Sequence, residues 1–388
     1  MAADELDYTD RLSFIAEWYD YERSLLKNFY LHYYPFDNSV ELFDKDRNRV
    51  YLRRAVCDGV LLKDMFVGNT VRIYGRQMNI TDYADARTRK LTAKKNEKTL
   101  AVFKPTVFKE IGPIITCLTA RKFKITRLKM ATLNQSEAIE FYESKKSDSF
   151  LPFMIEQIVS GPIVIAELVG EDAIAKWRAL LGPKDPAVAR KEAPDSLRAI
   201  YGRELASNGF HGPETEEEAT REISFFFPKQ HGDTRRTVGN IGKFKNSTCC
   251  VIKPHAIESG CLGDIITEIT NTGFSISAME MFYLSNANAD EFLEVYKGIV
   301  TDFSALMLSF IDGPCVALEI SSASDSANVH GEFRKFVGPF DPEIARQIRP
   351  NTMRAKFGID KYRNALHCTD LAEDTNLELE YFFKILQN

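Results

Sequence analysis

The sequence predicts an α+β protein: a small antiparallel β-barrel or sandwich over residues 11–90, then two copies of a split βαβ, ferredoxin-like domain over 97–228 and 246–388. Three observations lead there. The first ninety residues alternate apolar and polar side chains in short runs broken by Pro, Asp and Asn. An ordered set of Lys, Tyr, two Arg, Asn and His then occurs twice at nearly constant spacing. Within each occurrence, strand-like and helix-like stretches alternate.

Length and charge bound the reading. At 388 residues the chain is long for one domain and suggests two or three. With 44% hydrophobic and 27% charged residues it reads as globular. A net charge of -5 argues against a general nucleic-acid binder, so an anionic ligand needs a local cluster of positive charge. Seven cysteines include no CxxC pair, and the six histidines stand at no metal-ligand spacing beside them. No zinc or other metal held by the protein is expected, and reduced thiols in a cytosolic setting are. The start, Met1 to Asp7, is acidic and does not read as a secretory signal. No apolar run approaches the ~18 residues that span a bilayer, so a soluble protein without a membrane partner is expected.

Taken in order, Phe29, Leu31 and Tyr33 alternate before a turn at Pro35-Phe36-Asp37-Asn38. Val40 and Leu42 follow, then polar residues from Asp44 to Asn48, then Val50 and Leu52. Leu61 to Val67 suggests a short helix closed by Gly68-Asn69, and Val71 to Tyr74 and Gln77 to Ile80 suggest further strands. No phosphate loop, nucleophile set or metal spacing occurs here, which points to binding or docking. The segment resembles the DM-ten domain of ciliary proteins, through Phe14-Ile15-Ala16-Glu17-Trp18-Tyr19-Asp20, the strand series and Ile80-Thr81-Asp82-Tyr83. That resemblance implies a pleckstrin-homology-like β-barrel. It also implies axonemal microtubules, hence tubulin, as partner, and a place in the cytoskeleton of a cilium or flagellum. The basic stretch from Arg87 to Lys98 reads as a solvated linker, or else as a strap on an acidic partner.

The duplication follows. Lys104 and Lys253 stand 149 residues apart, Phe123 and Phe274 151, and Tyr142 and Tyr296 154. Arg178 and Arg334, Arg198 and Arg354, and His211 and His367 are each 156 apart. Such an offset means duplicated domains, and it is too long for a solenoid, whose repeats recur every ~20–50 residues. In the first copy Thr99 to Phe103 is a strand, Ile114 to Arg121 a helix and Phe123 to Leu128 a strand. Ser136 to Glu143 and Phe153 to Val159 read as helices, Ile163 to Ala166 as a strand, and Asp172 to Leu181 as a helix stopped by Gly182-Pro183. Pro228 to Asn246 has the composition of a linker, and its length permits the copies to pack as an intramolecular pseudo-dimer.

The recurring residue types suit phosphoryl transfer. A neutral imidazole, with an ordinary pKa near ~6.5, attacks a phosphate without a strong base, which makes His211 the candidate nucleophile. Guanidinium forks at Arg178 and Arg198 match phosphate oxygens, Lys104 adds a point charge, and Tyr142 offers a hydroxyl. Both copies resemble nucleoside diphosphate kinase domains. The match runs through Lys-Pro after the first strand, Asn208 to His211, Asn364 to His367, and the Gly-Pro opening the next strand. The resemblance implies ATP and nucleoside diphosphates as ligands, Mg²⁺ carried on the nucleotide, and exchange through a phosphohistidine. It also implies that Asn208 binds the sugar, Phe150 stacks on the base and Glu222 positions the imidazole.

Departures from the family pattern set the copies apart. The Ser and Asp after His-Gly become Pro213 and Glu214, and a threonine that faces the phosphates becomes Lys184. The second copy keeps Lys253, Arg334, Arg354, Asn364, His367 and Glu378, but has Cys368 for the glycine and Phe340 for the threonine. Its Tyr296 is shifted in register, and its stacking aromatic is uncertain, Phe303 being nearest. The first copy is therefore expected to work and the second to be degraded or architectural. The alternative is a structural microtubule protein that uses kinase folds as scaffold.

Overall fold

The computed structural model describes residues 11–20, 23, 25–57, 59–92, 96–227, 238–322 and 328–387. The acidic start and the first ten residues of the expected linker, 228–237, lie outside them. The chain forms two compact units that divide between Asn96 and Glu97.

The first unit is one antiparallel sheet. Its strands are β1 (Leu12–Asp20), β2 (Leu25–Tyr34), β3 (Ser39–Asp44), β4 (Arg49–Val56), β5 (Thr70–Ile73) and β6 (Arg76–Tyr83). Their order is β4-β3-β2-β1-β6-β5. Alternation sends Phe14, Phe29, Leu31, Tyr33, Val40 and Leu42 to one buried face. The end strands β4 and β5 share no ladder among the described residues; just beyond β5 the Tyr74 hydroxyl donates to the Val56 carbonyl at the end of β4, at 2.7 Å. The expected barrel is thus a half-barrel, left open along this seam. Two local expectations change. Leu61 to Val67 contains only one 3-10 turn, Leu62–Asp64, because Gly68 and Asn69 turn the chain back at once. The basic stretch is no free linker as far as Thr92: Ala86–Thr92 is a helix, α1, whose buried Thr88 accepts the Ser13 amide at 2.8 Å.

The second unit holds both copies. The first supplies β7 (Asn96–Phe103), β8 (Lys124–Ala131), β9 (Ile163–Glu171) and β10 (Phe210–His211). The second supplies β11 (Ser247–Ile252), β12 (Phe274–Phe282), β13 (Cys315–Ser322) and β14 (Leu366–Cys368). All eight make one sheet, β10-β7-β9-β8-β12-β13-β11-β14. Read within each copy, the spatial order is fourth, first, third, second, as a split βαβ arrangement requires. The copies join where β8 pairs β12 at Lys129 and Glu280; the buried Lys129 and the partly buried Glu280 also form an ion pair at 3.7 Å.

Behind that seam the helix Ile111–Ala120, α2, crosses the helix Leu262–Asn271. They cross at two glycines: a Cβ on Gly263 would lie 2.4 Å from the Thr116 amide nitrogen and 2.6 Å from the Gly112 carbonyl. One hydrophobic core, with Ile114, Ile115, Ile265 and Ile266 in it, runs through both copies. The described end of the linker ties them too. Asn240 bridges to Ala131 in one copy and donates to the Phe383 carbonyl of the other at 2.8 Å. The sheet places β10 and β14 at its opposite ends. Seven interstrand spacings of ~4.8 Å put His211 and His367 on the order of 30 Å apart.

Candidate active site

Pairing of β10 with β7 brings the first site together: His211 lies opposite Val102, and Phe210 opposite Phe103. Gly209 precedes them with φ 81°, where a side chain would strike Val107 at 2.5 Å, and its carbonyl accepts the Lys104 amide at 2.9 Å. Lys104 and His211, 107 positions apart in sequence, thus share one sheet edge. The imidazole is buried, with Phe141 and Tyr142 edge-on at 5.1 and 5.6 Å between ring centroids. Its Nε2 is 2.8 Å from Oε2 of Glu222, a buried carboxylate on the helix Glu216–Phe226. A carboxylate only accepts, so Nε2 carries the proton and the lone pair stands on Nδ1.

Positive charge surrounds this imidazole. Lys104 is buried and donates to Asn208 Oδ1 at 3.2 Å; burial and the nearby Arg198 hold its pKa down to about 8. Arg198 donates to the Gly182 carbonyl at 2.8 Å, while its Nε has no partner among the described residues. Burial, then Arg178, lower its pKa to about 10. The Tyr142 hydroxyl is likewise buried without a partner, and burial followed by the Glu222 charge raises its pKa. Both atoms are polar groups for which the described residues supply no partner, and such groups are costly unless a ligand meets them. Asn208 also donates to the Lys184 carbonyl at 3.3 Å. Phe150 is 45% exposed and leans on the half-exposed Phe153, at 6.2 Å between centroids.

Arg178 and Lys184 are held by an acid that follows His211 in sequence. Both pair with Glu214 Oε1, at 3.1 and 3.5 Å, and Lys145 approaches the same oxygen at 4.0 Å. Lys145 also pairs with Glu218 at 3.1 Å. Sequence reasoning noted Glu214 only as a departure and missed Lys145. The available signal was the position of Lys145, three residues after Tyr142, on the short turn Glu143–Lys145.

The second copy assembles the same set and satisfies it internally. His367 Nε2 is 2.9 Å from Glu378 Oε2, which also accepts from the Thr369 hydroxyl at 2.8 Å. Lys253 is buried and donates to the Ser309 hydroxyl and the Tyr362 carbonyl, at 3.1 and 2.7 Å. Burial, with Arg354 beside it, pushes its pKa well below the usual lysine range. Arg354 donates to the carbonyls of Leu366 and Gly338, and its guanidinium lies over the Phe340 ring at 5.5 Å. Arg334 pairs with Asp370, and the Tyr296 hydroxyl donates to the same carboxylate at 2.5 Å. Asn364 gives its amide to the Phe340 carbonyl, leaving only its Oδ1 unpartnered. The space enclosed among Lys253, Tyr296, Phe310, Phe340, Arg354 and His367 amounts to about 10 Å³, room for about one water. Phe303 begins the helix Phe303–Ile311 and lies under the Lys297 ammonium at 5.9 Å. A larger cavity, about 340 Å³, is lined by Pro254, His255, Leu308, Asp312, Tyr362 and Arg363, and does not include His367, Arg334 or Arg354.

A family model described as nucleoside diphosphate kinase matches residues 97–231 and again 246–387. A protein of Rattus norvegicus named nucleoside diphosphate kinase homolog 7 is 44% identical over 380 residues, 98% of this chain and 94% of that protein. The protein of that name from Mus musculus matches to the same extent. Among solved structures, the nucleoside diphosphate kinase of Aquifex aeolicus is 37% identical, covering 33% of this chain and 92% of its own, with TM-score 0.32. That of Halobacterium salinarum, in complex with CDP, is 30% identical, covering 36% and 94%, with TM-score 0.32.

Proposed function

The chain belongs to the nucleoside diphosphate kinase family, and from that premise we propose that its first copy passes the γ-phosphate of a nucleoside triphosphate to a nucleoside diphosphate through His211. The single observation that carries this reading is the buried His211–Glu222 pair, which leaves Nδ1 as the nucleophile. Nδ1 forms a bond to the γ-phosphorus as the bond from that phosphorus to the β–γ bridging oxygen breaks. The diphosphate departs with the electron pair. A second diphosphate then attacks phosphohistidine by the reverse step. Glu222 keeps the proton on Nε2 and stabilises the positive charge that the ring gains.

The remaining groups act by position and charge, which dominate phosphoryl transfer. Lys104 and Arg198 are buried cations that meet the transferred phosphoryl group, and the free Tyr142 hydroxyl donates to it. Asn208 serves the sugar and the exposed Phe150 face serves the base. The nearest carboxylates are engaged, Glu222 by His211 and Glu214 by three cations. Magnesium therefore enters on the phosphates of the nucleotide, as part of the substrate. Incubation with γ-labelled ATP tests the proposal: an acid-labile, base-stable phosphoprotein is expected, and its absence from folded protein would refute the reading.

A second role is favoured by the internally satisfied second copy, where Arg354 spends on the fold the Nε that Arg198 holds free and Leu293 stands at the place of Tyr142. We propose that this copy is architectural and that the N-terminal unit docks the protein on axonemal microtubules. The second half of that proposal rests on the DM-ten resemblance.

A further inference from the structure

Glu214 has an exposed carboxylate, yet it is the common acceptor for Arg178, Lys184 and Lys145. Its backbone amide donates to Glu218 Oε2 at 2.8 Å, and its side chain turns to the three cations. Its pKa is lowered, first by the Arg178 hydrogen bond, so it is an anion at neutral pH.

The duplication provides an internal control. The second copy has the shorter Asp370 at this place, with Phe340 for Lys184 and Tyr296, which ends the matching turn Glu294–Tyr296, for Lys145. There the carboxylate holds Arg334 and the Tyr296 hydroxyl. In the first copy a longer acid is accompanied by two additional cations, Lys184 where the second has Phe340 and Lys145 where it has Tyr296. Charge and reach have changed together at three positions of one cluster.

We propose that Glu214 is a specificity-determining residue: an internal counter-anion that occupies the phosphate clamp of Arg178, Lys184 and Lys145 and is displaced by incoming nucleotide phosphates. This rests on the reading of the first copy as a kinase and adds Lys145 to its phosphate ligands. An arriving phosphate and the Glu214 carboxylate carry like charge and compete for the same donors. Exposed ion pairs of this kind are individually weak, so the carboxylate yields to a polyphosphate without a large barrier. Its displacement subtracts from nucleotide affinity without touching His211.

The test compares wild type, Glu214→Gln and Glu216→Gln by calorimetric titration with ADP and with pyrophosphate, alongside steady-state exchange. Glu216 is exposed in the first turn of the helix that follows Glu214, and its substitution changes net charge equally. Glu214→Gln is expected to bind both ligands roughly three- to tenfold more tightly, with KM falling and kcat not rising; Glu216→Gln is expected to match wild type. Unchanged or weaker binding by Glu214→Gln overturns the proposal, as does an equal gain in Glu216→Gln. Wild type that binds without transferring phosphate would sink the kinase reading alone, and Glu214→Gln would still decide this one. Failure of all three proteins to bind either ligand overturns both.

Discussion

The carboxylate of Glu222 holds Nε2 of His211 at 2.8 Å, and that one contact fixes which nitrogen of the ring can react. The equivalent pair in the second copy, His367 and Glu378, is 2.9 Å apart. The copies therefore differ in what surrounds the imidazole and not in how it is oriented.

From this, His211→Ala should remove nearly all phosphohistidine and lower exchange at least ~100–1000-fold, the scale of losing transition-state machinery. His367→Ala should leave most of both. Phosphoprotein yield and exchange rate, measured on folded variants, decide it. A larger loss in His367→Ala would place the working site in the other half.

Tyr142 offers a separation of stability from activity. Its hydroxyl is buried without a partner, so Tyr142→Phe removes an unsatisfied group at little packing cost. Thermal unfolding of the ligand-free protein should stay unchanged or rise by ~1 kcal/mol, while single-turnover phosphorylation slows ~10-fold or more. Tyr296→Phe should instead destabilise, because it breaks a bond to Asp370.

Lys104 gives a pH dependence. Its pKa in the ligand-free protein is about 8, below the usual lysine value, because burial and Arg198 disfavour its charge. Binding a phosphate needs the charged form, so ADP affinity should be flat below that pH and fall above it. The limiting slope is ~tenfold per pH unit. Folding shows the opposite trend: the unfolded chain binds the proton more tightly, so this residue makes stability rise from about pH 8 toward the ordinary lysine value. Lys104→Met should abolish both dependences in titrations from pH 7 to about 10.

At the seam between the copies, Gly263→Ala should cost ~2–4 kcal/mol in chemical denaturation. The new Cβ meets backbone of α2 on two sides and cannot be relieved by turning a side chain. Gly273→Ala is the contrasting case: nothing lies within 4 Å of the new Cβ, and only the backbone strain of its φ of 91° remains. Its cost should be ~1 kcal/mol. Equal losses in the two variants would mean that the helix crossing does not hold the copies together.

Docking is separable from catalysis if the N-terminal unit has the role proposed. Deleting residues up to Arg89 should leave nucleotide exchange intact and abolish retention on axonemes. Normal localisation of that truncation, followed by fluorescence, would remove the docking role.

Much was legible in the chain because the relevant patterns are short-range or repeated. Alternation of Phe29, Leu31 and Tyr33 sets a strand whatever it pairs with, since the period of two is a property of the backbone. The recurrence of Lys, Tyr, Arg, Asn and His at near-constant offsets reported two domains and named the residues that the sheet edges then gathered. Glycine and proline marked helix ends such as Leu181–Gly182 for the same local reason.

What only tertiary structure decided is which partners those side chains find. No pattern in the sequence says that β8 meets β12, or that Gly112 and Gly263 let two helices touch. The Arg87 to Thr92 stretch reads as solvated because its charges dominate, yet one buried threonine anchors it as a helix. Tyr142 and Tyr296 read as one position of the repeat, yet Tyr142 caps its helix where the second copy has Leu293, and Tyr296 ends the turn that Lys145 ends in the first copy. Tyr296 accordingly bonds Asp370 where Lys145 pairs with Glu214. Residue type fixes which groups can donate, accept or carry charge. Only the folded distances determine whether those capacities are spent on the protein itself or kept for a ligand.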